Sequence, residues 1–209
     1  MQNCSVQNCT VLYGIQDGRG STVVNCTATG NSADATVGFS AGISAPDRCL
    51  IRSCTALGNT HPTPNNAEGG VGINAGFSSL VVDCQTAQND GDGIRIAQGT
   101  RVTGCHCSAN GAGGAGAGIH AYDFSTGDAG WNQIIDNDVI FNVTGIDIDT
   151  TANMVAKNRS GGNGENFNIL NNNRVGPILI PNQSGAISGT GDGEAAGMGS
   201  TDPWANFTY

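Results

Sequence analysis

The chain has 209 residues, a one-domain length, and contains 33 Gly, 23 Asn, 16 Ile and 13 Val but only 6 Leu and a single Lys, Lys157. Few long helix formers beside many β-branched and turn residues exclude a helical bundle, and 38% hydrophobic residues are too many for a disordered chain. A formal charge of -9 leaves no broad basic footprint for nucleic acid, and no stretch approaches the roughly 20 apolar residues of a membrane span.

From the N-terminus onward one position recurs as Cys4, Cys26, Cys54, Cys84 and Cys105, and is continued by Asn137 and Asn158. Five residues after each anchor stands Asn31, Asn59, Asn89, Asn110, Asn142 or Asn163, with Cys9 in the first copy. Each copy then reaches a Gly-Ile pair: Gly14-Ile15, Gly42-Ile43, Gly72-Ile73, Gly93-Ile94, Gly118-Ile119 and Gly145-Ile146, with Asn168-Ile169 in the seventh. The first four intervals from that Ile to the next anchor are each 11 residues. Three residues before the anchors from the second copy onward come Val23, Ile51, Val81, Val102, Ile134 and Val155. Copies 21 to 32 residues long, with short apolar strands and Asn/Gly turns, exclude leucine-rich and helical repeats. What remains is a coil of short parallel strands whose rungs stack about 4.8 Å apart, equivalent side chains lying above one another.

This V-x-x-[CN]-x-x-x-x-N…G-I pattern, covering about residues 3–180, resembles right-handed parallel β-helix repeat proteins, the pectate-lyase-like group. The resemblance implies an all-β, right-handed parallel β-helix of about seven rungs with Asn and Cys ladders; the crossover rule for parallel strands gives the same hand. The chain divides into a β-helix over 1–184 and a Gly-rich C-terminal strip with an aromatic capping tail over 185–209. The paired-acid, Gly-His-Gly and Arg-Ile-Lys signatures of the group's polygalacturonases are absent, Arg95-Ile96-Ala97 being a partial echo, so the resemblance implies fold and leaves activity open.

Eight cysteines suggest a disulfide framework until their spacing is read. In-register rungs hold Cβ atoms about 4.8 Å apart, outside the usual disulfide range of roughly 3.5–4.5 Å, so the column is expected to be buried free thiols. Any bridge should involve Cys9, Cys49 or Cys107. Cys105-His106-Cys107 alternates sides of a strand, which disfavours zinc.

Insertions gather between the Asn position and the next Gly, at residues 32–41, 60–71 and 111–117, with a further one at 122–133. Such corner loops either wall a groove or are tolerated Gly-rich excursions. Beside them the residues after each inward Ile point outward: Gln16, Ser44, Asn74, Arg95, His120 and Asp147, followed two positions on by Tyr122 and Asp149 in the last two rungs. Arg95, His120, Tyr122, Asp147 and Asp149 are therefore the candidate catalytic residues. Asp147 and Asp149 would suit glycoside hydrolysis as an acid and base pair. His120 or Tyr122 as base, with Arg95 holding a uronate carboxylate, would suit a polysaccharide lyase. The same groups would serve equally as ordinary charges on a solvated face. Asp90, Asp92, Asp123 and Asp128 could gather Ca²⁺ through loop oxygens, and His61 reads as a loop surface residue.

Met1 stands almost at a repeat anchor, which suggests a preceding domain, a truncated end or a homo-oligomeric contact such as a trimer. The C-terminal segment resembles the endings of secreted bacterial β-helix proteins, with aromatics that could fold back as a plug. The expectation is an extracellular or cell-surface β-helix that binds, and in one reading cleaves, a polysaccharide or cell-surface glycan. The competing expectation is a non-catalytic structural or adhesive solenoid like a tail fibre.

Overall fold

The structure is a computed structural model that describes residues 1–10, 12–33, 38–62, 69–123, 129–179, 187–189 and 203–208. Its strands form three parallel sheets wound as one right-handed coil, and no helix among the described residues is long and apolar enough to cross a membrane. One sheet holds the strands opened by Gly-Ile, such as Ala41–Ala45, Val71–Ala75, Ile94–Ile96, Ala117–Ala121 and Thr144–Ile148. The second holds those before the anchors, including Arg101–Thr103, Gln133–Ile135 and Met154–Ala156; the third holds those after them, including Gln85–Ala87 and His106–Ser108. Pairing is in register from rung to rung, Ile73 against Ile94 against Ile119 against Ile146 against Phe167. These inward side chains, with Val23, Ile51, Val81, Val102, Ile134 and Val155, are essentially inaccessible to solvent. Each fully buried Ile or Val contributes roughly 1.5–3 kcal/mol.

The chain turns three times per rung, and each bend pairs a residue of positive φ with a polar or thiol side chain just after it. At the anchor bend these are Asn25-Cys26, Ser53-Cys54, Asp83-Cys84, Asp136-Asn137 and Lys157-Asn158. All eight cysteines are free, and the column of thiols runs on as Asn137, Asn158 and then Asn206. A side-chain hydrogen bond with Cys105 is the main cause that pushes the Cys84 thiol up to about 12, while burial does the same for Cys107. The tail therefore supplies a rung residue: Asn206–Thr208 pairs between Arg159–Gly161 and Ile178–Leu179. Most of the expected C-terminal strip, 190–202, lies outside the described residues.

At the second bend Asn31, Asn59, Asn89, Asn110, Asn142 and Asn163 hand one amide to the next. Asn59 Nδ2 donates to Asn89 Oδ1 at 2.9 Å, Asn89 to Asn110 at 2.8 Å and Asn110 to Asn142 at 3.0 Å. Each acceptor oxygen also takes a backbone N–H of the preceding rung, as Asn89 Oδ1 does from Asn59. The amides lie against the glycines of the Gly-Ile pairs: a Cβ on Gly72 would stand 2.7 Å from Asn89 Nδ2, which is why that strand opens with Gly. The third bend is less obvious in the sequence. Cys49, Ser79, Thr100, Asn132, Asn153 and Asn173 form its column, so Cys49, named above among the cysteines any bridge should involve, has a fixed place and donates its backbone N–H to Ser79 Oγ.

Asn89 also satisfies the Ala56 carbonyl at 3.0 Å and is wholly buried. Asn89→Ala strands several buried donors and acceptors at once, and is expected to lower unfolding free energy by about 3 kcal/mol or more. Urea unfolding of that variant beside exposed Asn171→Ala, which should stay within about 0.5 kcal/mol of the parent, checks it.

Candidate functional site

The outward column beside the Ile residues is a direct product of register. Asn74 pairs with Arg95, Arg95 with His120, His120 with Asp147 and Asp147 with Asn168, one rung at a time. Tyr122 and Asp149 follow two residues behind, their backbones bonded to Ile96 and Ala121 of the rungs before. All five sequence-derived candidates therefore lie in adjacent rungs on one sheet.

They do not form an open, solvated face. Arg95 is 4% exposed, its guanidinium carbon 3.7 Å from the Tyr122 ring centroid and 5.7 Å from that of Phe39. Phe39 comes from the end of the first corner insertion, so a side chain from two rungs away reaches Arg95. His120 is 9% exposed and meets the Tyr122 ring edge-on at 5.6 Å. Its Nδ1 lies 2.8 Å from Asp92 Oδ2 and its Nε2 lies 3.0 Å from Asp149 Oδ2. A ring facing carboxylates at both nitrogens must donate from both, which is the imidazolium form. Burial alone would favour the neutral ring, but the charge of Asp92 and the hydrogen bonds to Asp149 and Asp92 prevail and raise it to about 10.

The two carboxyls of the pair are pushed apart. Burial raises Asp147, and although protonated His120 pulls the other way, the charges of Asp149, Asp92 and Glu165 add to the rise, bringing it to about 6. Asn168 donates to Asp147 Oδ1 at 2.9 Å. Asp149 goes down: the hydrogen bond from His120, aided by the charges of His120 and Arg95, holds it below the usual carboxylate value against the effect of partial burial. With Asp147 protonated, Arg95 and His120 balance Asp92 and Asp149.

Asp92 was missed as a partner of this site. It precedes its strand at the bend, where alternation no longer fixes which way a side chain points, and it also accepts the Ala117 N–H at 2.7 Å. Of the four acids considered for Ca²⁺, Asp92 is thus bound to His120, Asp90 accepts the His61 N–H at 2.9 Å, and Asp128 lies outside the described residues. His61 is itself buried, 6% exposed and packed against Gly69, rather than a surface residue. Among the described residues, the set that could hold a cation is His120, Asp147 and Asp149, whose ligand atoms lie within 4.8 Å of one another. A cation there would displace the bond between His120 and Asp149.

A family model described as "Right handed beta helix region" matches residues 1–163. Among solved structures the Dettilon tailspike protein aligns at a TM-score of 0.48 and 16% identity, over 91% of this chain and 52% of that one, so this chain spans about half its length. No curated protein matches.

Because the folded pKa of Asp147 lies above the unfolded value, the native state holds the extra proton between about pH 4 and 6, and stability falls as pH rises through that window. Asp147→Asn keeps the acceptor for Asn168 and removes the titration. It is expected to flatten that slope and to gain on the order of 2 kcal/mol at pH 7, read from denaturation midpoints across pH.

Proposed function

This chain belongs to the right-handed β-helix family, and from that premise we propose that it is an extracellular glycan-binding solenoid that hydrolyses a glycosidic bond at Asp147 and Asp149. The observation that carries the reading is the split of two neighbouring carboxyls into one held protonated to about pH 6 and one held ionised. Asp147 gives its proton to the leaving glycosidic oxygen. Asp149, half exposed and oriented by His120, attacks the anomeric carbon as a carboxylate. Water then releases the glycosyl ester with Asp147, now ionised, as base. Ligand oxygens within 4.8 Å favour this retaining route, because an inverting pair stands roughly 6.5–9.5 Å apart to admit a water. The sugar at this site would be uncharged, since the two cations, Arg95 and His120, are already engaged, the first by Tyr122 and the second by Asp92 and Asp149, and Glu165 adds a further negative charge.

Elimination from a uronate fits less well. His120 is a cation with both nitrogens engaged, and the Arg95 guanidinium lies beneath the Tyr122 ring, where it cannot clamp a substrate carboxylate. The non-catalytic adhesive solenoid draws support from one feature: the bonds among Asp92, His120 and Asp149 close on themselves, as a purely structural network would.

A polysaccharide panel assayed for reducing ends should therefore show turnover that declines about tenfold per pH unit above 6, and Asp147→Asn should lose at least about 100-fold in kcat. Unchanged turnover in Asp147→Asn, or glycan binding with no turnover on any polymer, would return the face to the adhesive reading.

A further inference from the structure

A groove lies on the sheet that precedes the anchors. At its entry bend the positive-φ position is filled by Gly20, Arg48, Ser78, Gly99, Ala152 and Asn172 in six rungs, and by Trp131 in the remaining one. A bulky side chain gains nothing from a left-handed backbone, which costs of order 1 kcal/mol, and a ring 64% exposed recovers little of that by burial. Trp131 instead walls a groove of about 600 Å³ whose floor and far side include Gln133, Met154, Asn172 and Arg174. Gln133, Met154 and Arg174 continue one outward column that runs through Leu80 and Arg101, so the two arginines stand three rungs, or about 14 Å, apart.

Charge marks the occupant. In a chain of net charge -9, the described strands of this sheet contain Arg52, Arg101 and Arg174 and no Asp or Glu. Arg48 and Lys157 add to the positive side at its two bends, while Asp83 and Asp136 stand only beyond the strand ends. Among the described residues neither Arg101 nor Arg174 has an acidic side chain within ion-pair distance. An aromatic face, two side-chain amides and the Arg174 guanidinium in the groove, with Arg101 on the rung beyond Gln133, match a sugar chain: ring carbons stack on the indole, hydroxyls meet Gln133 and Asn172, and carboxylates meet Arg174 and, one rung on, Arg101.

We propose that this groove binds an acidic, uronate-bearing oligosaccharide, independently of the catalytic reading of Asp147. Titration of the full chain with hyaluronan oligosaccharides, followed by tryptophan emission and calorimetry, should give a blue-shifted saturable signal that weakens with salt. Trp131→Asn suits the left-handed bend and so preserves the fold, yet should weaken binding about tenfold. Arg101→Gln and Arg174→Gln should each weaken it about threefold. Asp147→Asn should leave it unchanged, which separates this site from the other face. Equal binding of uncharged dextran oligosaccharides, preference for inorganic polyphosphate, full binding by Trp131→Asn, or burial of Trp131 in a dimer seen by sedimentation would each overturn the assignment.

Discussion

A buried side-chain amide that bonds the next rung's amide is the interaction on which this molecule depends. A coil of three-residue strands exposes backbone donors at every bend, and burying those donors without partners would cost roughly 1–3 kcal/mol each. The Asn31 to Asn163 column removes that cost by giving each bend a carbonyl oxygen for one rung's N–H and an amide for the neighbouring rung. Because each link needs the same geometry as the last, the amides also enforce register. The glycines of the Gly-Ile pairs are the complement of that column, since any Cβ there would collide with it.

Register then determines the chemistry of the outer face. A one-residue slip would turn Ile119 outward and His120 into the core. Held in register, Arg95, His120 and Asp147 fall on successive rungs, near enough for each to set its neighbours' charge states. His120 becomes a fixed cation between Asp92 and Asp149, and its hydrogen bond, aided by its charge, keeps Asp149 ionised beside a protonated Asp147. The rings of Tyr122 and Phe39 lie over a buried Arg95, which keeps its charge in a less polar setting. A scaffold with no helix among the described residues thus produces a differentiated carboxyl pair from column position and burial.

The repeat made much of this legible in advance. Identical residue types at identical intervals revealed the anchor column, the Asn column and the inward Ile and Val, and strict alternation after Gly-Ile placed Arg95, His120 and Asp147 in one file. What escaped notice lay where chemistry varies or alternation stops. The third bend is Cys49, Ser79, Thr100 and then Asn132, alike as hydrogen-bond acceptors but unlike as letters. Asn206 continues the anchor column from across a long intervening segment, which no period could show. Asp92 sits in a bend, and the length of the first insertion gave no hint that Phe39 would rest near Arg95.

The ionisation of His120 is where register, burial and chemistry meet, and it can be observed without knowing any substrate. Nitrogen-15 NMR of histidine-labelled protein at pH 8 reads the two ring nitrogens directly. Bonds to Asp92 and Asp149 with a pKa of about 10 require both nitrogens of His120 to carry protons at that pH. A neutral ring, with one nitrogen resonating as an unprotonated acceptor, would contradict the arrangement of charges from which the behaviour of Asp147 and Asp149 follows.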